Sequence, residues 1–271
     1  MKTKSYTILV YTIILCSFSG CRVQKSAVSS AGNNSLVVAG AEWATAWQQR
    51  SGEYKALCFQ AYNLAKMRLD LLLQESHSKP LAIVTDIDET VLDNSPYTIH
   101  RIRNNKPYND TTWMEWTAKA EADTVPGALS FFKYAKSKNV SIFYITNRVE
   151  AEREVTTKNL GKWGFPDNEP DHLLLKKETS GKEIRRQAVL RDHEIALLIG
   201  DNLSDFSMVF DKKPFEERNA AVRTNAIAFG SKFIVLPNPM YGDWEPALYQ
   251  FKYQLPNSAK DSAIRKALID Y

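Results

Sequence analysis

Three short segments of the chain place carboxylates and other polar groups directly behind apolar runs. Asp86-Ile87-Asp88-Glu89-Thr90 closes a run that begins at Leu81, Thr146-Asn147-Arg148 follows Val140–Ile145, and Gly200-Asp201-Asn202-Leu203-Ser204-Asp205 follows Ile195–Ile199. A lone Asp-x-Asp is common and means little. Asp-x-Asp-x-Thr behind one buried strand, with Gly-Asp-x-x-x-Asp behind a later one, is far more specific. Asp86, Asp201 and Asp205 would bring three carboxylates together, and such a cluster repels itself unless a cation neutralises it. All-oxygen donors select a hard ion, and Mg2+ suits sites that also hold phosphate. Beside that ion an ionised Asp86 can approach a phosphate dianion as a nucleophile, as carboxylates do in aspartyl-phosphate chemistry. Asp88 can protonate the leaving oxygen and then activate water against the phosphoenzyme.

For these clusters to meet, their strands must share one sheet and point the same way. Leu81–Ile87, Val140–Ile145, Leu173–Leu175, Ile195–Ile199 and Phe233–Leu236 are short, apolar and rich in β-branched residues, the pattern of buried strands. Helical stretches fall between them, at Gly127–Ser137, Val149–Trp163, Lys182–Asp192 and about Pro214–Phe229. This alternation predicts an α/β fold, a Rossmann-like parallel sheet with helices on both faces, which binds ligands at the carboxyl ends of its strands. Ahead of the sheet, Leu36–Gln74 has helical periodicity from Trp43 to Leu72, broken at Ser51-Gly52, and its aromatic stripe reads as packing. Residues 94–125, polar and aromatic, interrupt the rhythm as a small, mainly helical insertion over the sheet edge. Phe251–Tyr271 reads as a terminal helical tail.

The set Asp86, Asp88, Thr90, Thr146, Lys182, Asp201 and Asp205 resembles that of the haloacid dehalogenase superfamily of phosphotransferases. Longer runs narrow the likeness: Asp86–Ser95, Ile145–Arg148, Ile199–Phe206 and Ile234–Glu245. They are similar to the class C acid phosphatases, the four-aspartate group of bacterial surface lipoproteins, and the likeness extends from about Trp43 to Trp244. It implies a nonspecific acid phosphatase, with a preference for 5′-nucleotides in several members. Asp86 would be nucleophile and Mg2+ ligand. Asp88 would be the acid/base and lend its backbone carbonyl to the metal. Asp201 would be the third protein ligand, and Asp205 would hold metal-bound waters. Thr146 would hydrogen-bond the phosphoryl oxygens and Lys182 would neutralise their charge, with Lys177 left as an alternative. Trp113 and Tyr241 match positions that sandwich a nucleobase, a sequence-tolerant stacking worth about 1–3 kcal/mol per base. Trp116 shares a helix face with Trp113 and stays an alternative, and plain packing is open for all of these aromatics. Asn147 and Asn94 are weaker candidates for contacts to ribose or phosphate.

The chain has 271 residues, is 44% hydrophobic and 24% charged, and carries a net charge of +4. That composition is globular. The charge is too small and too evenly interleaved to argue for nucleic acid. Residues 1–20 have the form of a signal peptide, with Lys2 and Lys4 ahead of the uncharged run Tyr6–Phe18. At about 13 residues that run falls short of the roughly 20 that span a bilayer. Phe18-Ser19-Gly20-Cys21 resembles a bacterial lipobox with Phe at the usual Leu position. Cys21 would then carry lipid, residues 21–35 would form a tether, and 36–271 the phosphatase domain of an exported lipoprotein, expected at the outer membrane. An ordinary secretory signal with an incidental Cys is the alternative. The mature chain would keep only Cys58 beyond the lipidated residue, so no internal disulfide is expected, and Cys58 reads as core.

Other polar residues take plainer readings. His77, His100, His172 and His193 show no metal-ligand spacing, and Arg185-Arg186, beside Glu183, reads as a solvated helix face. Asp93 and Glu89 are candidates to orient the loop behind Asp88. The insertion and tail offer surfaces for a homodimer. The leading expectation is a surface enzyme acting on phosphomonoesters. The competing one is a non-catalytic lipoprotein binding a nutrient or haem on the same fold.

Overall fold

The structure is a computed structural model and describes residues 35–271 apart from 105 and 107. The signal segment, Cys21 and the tether up to residue 34 lie outside the described residues.

Leu36–Arg50 forms α1 and Gly52–Leu72 forms α2. Ser51 divides them: its extended backbone ends α1, and its Oγ accepts a hydrogen bond from the Tyr54 N–H to cap α2. The chain then enters β1 (Leu81–Thr85), followed by β2 (Leu92–Asp93), α3 (Ser95–Arg103), α4 (Asp110–Thr117) and β3 (Asp123–Thr124). It continues as α5 (Ala128–Ser137), β4 (Ser141–Val149), α6 (Arg153–Trp163), β5 (Leu173–Lys176), α7 (Glu183–Asp192) and β6 (Glu194–Gly200). α8 (Phe215–Thr224), β7 (Phe233–Val235), α9 (Trp244–Leu248) and α10 (Asn257–Ala267) complete it.

Five strands form one parallel sheet in the order β5-β4-β1-β6-β7. The chain moves outward from central β1 through β4 and β5, then crosses to β6 and β7 on the other side. The crevice at that reversal, above the end of β1, is where such sheets bind ligands. Ile83, Ile142, Tyr144 and Leu197 pack on one face with Tyr62 and Leu69 of α2 and Phe132 of α5. Ala82, Val84, Phe143 and Leu198 pack on the other with Val189 of α7, Phe206 and Phe210. Both faces are covered, so β1 is wholly buried and its sequence is a continuous apolar run rather than an alternation. Opposite β1, β6 carries a bulge: Ala82 pairs with Ile195 and Ile83 with Leu197, leaving Ala196 as an extra residue.

Several expectations shift. β4 runs past Ile145 to Val149, because Val149 still pairs with Lys176 of β5, so α6 begins only at Arg153. α8 stops at Thr224, and a short 3-10 turn at Ala226–Ala228 follows. The insertion does not lie over the sheet edge. β2 and β3 pair antiparallel immediately behind β1, joining Leu92 to Thr124 and Asp93 to Asp123, so α3 and α4 leave and return above the carboxyl end of the central strand. The buried face of α2 is Tyr54, Cys58, Tyr62, Ala65 and Leu69, with Cys58 in the core. Trp43 of α1 is 80% exposed and Met67 and Leu71 also face solvent, so part of the apolar stripe does not pack. The tail packs on its own chain: Asp261 of α10 accepts from Ser35 Oγ at 2.8 Å and the Leu36 N–H at 2.9 Å.

Candidate active site

Asp86 is the first residue beyond β1. Its N–H donates to the Ile199 carbonyl of β6 at 2.9 Å, so the ladder holds its backbone in place. The chain then turns sharply, with the Ile87 carbonyl accepting from the N–H groups of Thr90, Val91 and Leu92. Glu89 takes a left-handed backbone conformation at the bend, φ 60°. Its buried carboxylate accepts from the Asn94 N–H at 2.8 Å, closing the loop. Burial, reinforced by the charges of Asp88 and Asp201, pushes the Glu89 carboxyl well above the usual range. Glu89 is thus a loop-orienting group. Thr90 Oγ1 donates to Asp201 Oδ1 at 2.9 Å, linking the β1 loop to the β6 loop.

Asp201 and Asp205 lie beyond β6, Asp201 directly behind Gly200 and Asp205 at the end of a short 3-10 turn, Leu203–Asp205. Asp205 Oδ2 accepts from the Asn202 N–H at 2.9 Å, and Asn238 Nδ2, beyond β7, donates to Asp201 Oδ2 at 2.9 Å. Gly200 is required by this approach: a Cβ there would lie 2.4 Å from the Asp205 side chain. Lys182, buried just ahead of α7, forms ion pairs with both carboxylates, its Nζ 2.7 Å from Asp205 Oδ1 and 2.6 Å from Asp86 Oδ1. Lys177 makes no such approach among the described contacts.

Asp86, Asp201 and Asp205 each present an oxygen, and all three oxygens lie within 4.8 Å of one another. Burial raises the Asp86 carboxyl to about 7, with Lys182 opposing the shift and Asp205 and Asp88 adding to it. Burial, then Asp205 and Asp86, push Asp201 well above the usual range. Burial works against the Lys182 ammonium, but Asp205 and Asp86 hold its pKa above the ordinary value. The cluster is short of positive charge and built from hard oxygen donors. It fits a hard divalent cation.

The remaining expected residues surround this centre. Thr146 is buried in β4 and its Oγ1 approaches Asp88 Oδ2 at 3.5 Å. Asn147 is exposed at the rim, with its Oδ1 accepting from Arg185 at 2.9 Å. Trp113, in α4, packs edge-on against Tyr97 with its ring 5.7 Å from the Arg148 guanidinium. Trp116 turns inward and donates to Asn94 Oδ1 at 2.8 Å. Tyr241 is half-buried and its N–H is held by the same Asn238 that bonds Asp201.

A family model described as HAD superfamily, subfamily IIIB (Acid phosphatase), matches residues 7–244. The chain belongs to this family. The fold is similar to the class C acid phosphatase from Bacillus anthracis, with a TM-score of 0.83 and 43% identity over 87% of this chain and 99% of that one. The same Bacillus anthracis enzyme with tungstate bound gives 0.82 and 42% at the same coverage. Among curated proteins, the stem 31 kDa glycoprotein of Glycine max is 30% identical over 161 residues, 57% of each chain. Acid phosphatase 1 of Solanum lycopersicum is 28% identical over 130 residues, 45% of this chain and 50% of its own. The chain therefore spans about half the length of these two relatives.

Arginines are the part of this acid phosphatase family site that sequence reading missed. Arg148 is buried and forks onto Asp88. Arg185 and Arg186 do not form a solvated face. Arg185 donates to the carbonyls of Thr146, Leu174, Ser180 and Gly181, bracing the strand ends beside Lys182. Arg186 is buried and donates to the carbonyls of Ser204 and Asp205, fixing the loop that carries two of the aspartates. Arg218 of α8 donates to Asn202 Oδ1 at 2.8 Å in the same loop. The signal available in sequence was position: Arg148 stands two residues beyond Thr146, inside a run that already resembled the family.

Proposed function

We propose that this chain is a Mg2+-dependent phosphomonoesterase that hydrolyses phosphomonoesters, including 5′-nucleotides, through a phosphorylated Asp86. The observation that carries this reading is the convergence of Asp86, Asp201 and Asp205 with Lys182 at the end of the central strand. Asp86, Asp201 and the Asp88 backbone carbonyl would hold Mg2+, with Asp205 orienting its waters. Bound there, the ion supplies the positive charge that lets a phosphate dianion approach a carboxylate.

Asp86 attacks phosphorus and the bond to the ester oxygen breaks. Its electron pair leaves with that oxygen, which takes a proton from the Asp88 carboxyl. Lys182 and Thr146 neutralise and bind the phosphoryl oxygens. Water then gives a proton to the Asp88 carboxylate and attacks phosphorus. The phosphorus–Asp86 bond breaks, releasing inorganic phosphate and an ionised Asp86. Trp113 and Tyr241 stack on a nucleobase, with Asn147 at the rim. A lipid on Cys21 would hold the enzyme at the outer membrane. Tungstate, bound by the Bacillus anthracis relative, is a tetrahedral oxyanion like phosphate and should inhibit competitively.

The test is phosphate release from p-nitrophenyl phosphate and AMP, with Mg2+ or EDTA, for wild type and Asp86→Asn. Metal-dependent release that the substitution abolishes is expected, with a trapped phosphoenzyme in wild type alone. Substantial turnover by folded Asp86→Asn would overturn the nucleophile assignment. Trp113→Ala and Tyr241→Ala should raise KM for AMP more than for a small aliphatic phosphate, and equal effects would remove the stacking role.

A further inference from the structure

The two oxygens of the Asp88 carboxylate sit in different surroundings. Oδ1 accepts from Arg148 Nη2 at 2.8 Å, from Arg148 Nε at 3.1 Å and from Asn94 Nδ2 at 2.8 Å. Oδ2 has only long contacts, to Arg148 Nε at 3.3 Å and Thr146 Oγ1 at 3.5 Å. A carboxylate oxygen offers about two lone-pair sites, so three donors leave Oδ1 no room for a proton.

Those donors are themselves fixed. The Arg148 side chain is 1% exposed, and its Nη1 donates to Thr156 Oγ1 of α6 at 3.1 Å. The Trp113 ring covers the guanidinium from the insertion side. Trp116 Nε1 donates to Asn94 Oδ1. An indole N–H only donates, so it faces the amide oxygen and turns Asn94 Nδ2 toward Asp88. Both tryptophans belong to α4, so the insertion holds both donors that grip Asp88.

We propose that Arg148 and Asn94 are positioning residues that occupy Oδ1 of Asp88 and leave Oδ2 to exchange the proton with the leaving oxygen and with water. Trp116 sets the orientation of Asn94. This rests on the acid/base role given to Asp88 above. A guanidinium meets a carboxylate as a planar fork, which the single ammonium of lysine does not reproduce.

Proton donation matters most when the leaving group is poor. The test therefore compares kcat/KM for p-nitrophenyl phosphate and for a simple alkyl phosphate, in Arg148→Ala, Arg148→Lys, Trp116→Phe and Asp88→Asn. General acid catalysis contributes about 10²–10⁴-fold, so Arg148→Ala and Arg148→Lys should lose about 10²-fold on the alkyl ester and less than about tenfold on the aryl ester. Added guanidinium should restore part of the alkyl activity of Arg148→Ala. Trp116→Phe keeps a ring and removes the N–H, and should show the same skew at about threefold. Should Arg148→Ala fail to fold by circular dichroism, Arg148→Lys and Trp116→Phe carry the same comparison. Equal losses on both esters, or no loss, would overturn the proposal. A skew in Asp88→Asn without one in the Arg148 variants refutes the grip alone. No skew in Asp88→Asn refutes the acid/base role and the grip with it.

Discussion

Lys182 stands as one ammonium against Asp86 and Asp205, with Asp201 beside them. This imbalance gives a pH dependence whose sign can be stated. Without metal, folded Asp86 titrates near 7 against an ordinary 3.8. Between those values the folded state holds a proton that the unfolded state has released, so this group's contribution to stability falls as pH rises. The proposed Mg2+ would bind the ionised form and should reverse the loss. The Mg2+-induced rise in Tm is therefore expected to grow between about pH 4 and about pH 7, measured by thermal unfolding with EDTA or excess Mg2+. A rise that ignored pH would contradict the electrostatics described here. Gly200→Ala tests the same centre by steric means. Its Cβ would meet Asp205 at 2.4 Å, and overpacking of this kind costs about 1–3 kcal/mol, so a lower Tm and weaker Mg2+ affinity by calorimetry are expected. At this scale the aspartates were legible because each sits in a short motif behind an apolar run. Arg148, Arg186 and Asn238 were not. An arginine among charged neighbours has the same local pattern on a surface as inside a loop, and only the fold supplies the carbonyls and carboxylates that bury it.

The elements were more legible than their joints. All five sheet strands stand where apolar, β-branched runs predicted them, because a strand covered on both faces must be apolar throughout. The far end of β4 was hidden, since Thr146-Asn147-Arg148 is polar and pairing rather than composition extends the strand. The β6 bulge was hidden for the same reason: register depends on the neighbouring strand. The insertion was visible as a break in rhythm, but its seat was not. Asn159 of α6 accepts from the Ala122 N–H at 3.1 Å and donates to its carbonyl at 3.0 Å, pinning the returning limb just ahead of β3. Asn159→Ala strands a buried N–H and should cost about 1–3 kcal/mol in denaturant unfolding. Activity on AMP should fall with it, since α4 carries Trp113 and Trp116. A neutral result would mean that the limb is held from the insertion side instead.

At the scale of the molecule, Ser35–Tyr271 form one compact unit, and sequence reading placed its five strands and the carboxylates that converge at their ends without the partners that hold them. Cys58 is buried and free, so nothing among the described residues staples the fold covalently. The anchoring proposal is tested by Cys21→Ser, which should move the protein from the membrane to the soluble fraction while kcat/KM on p-nitrophenyl phosphate stays unchanged. Persistent membrane association would remove the lipid from the account. The fastening of Ser35 and Leu36 to Asp261 bears on what such an anchor does to the enzyme. A pull on the chain ahead of Ser35 would enter α1 along the backbone and be shared with α10 through these two hydrogen bonds. Under the proposed anchoring the joint would act as strain relief, sharing tension between the outer helices α1 and α10.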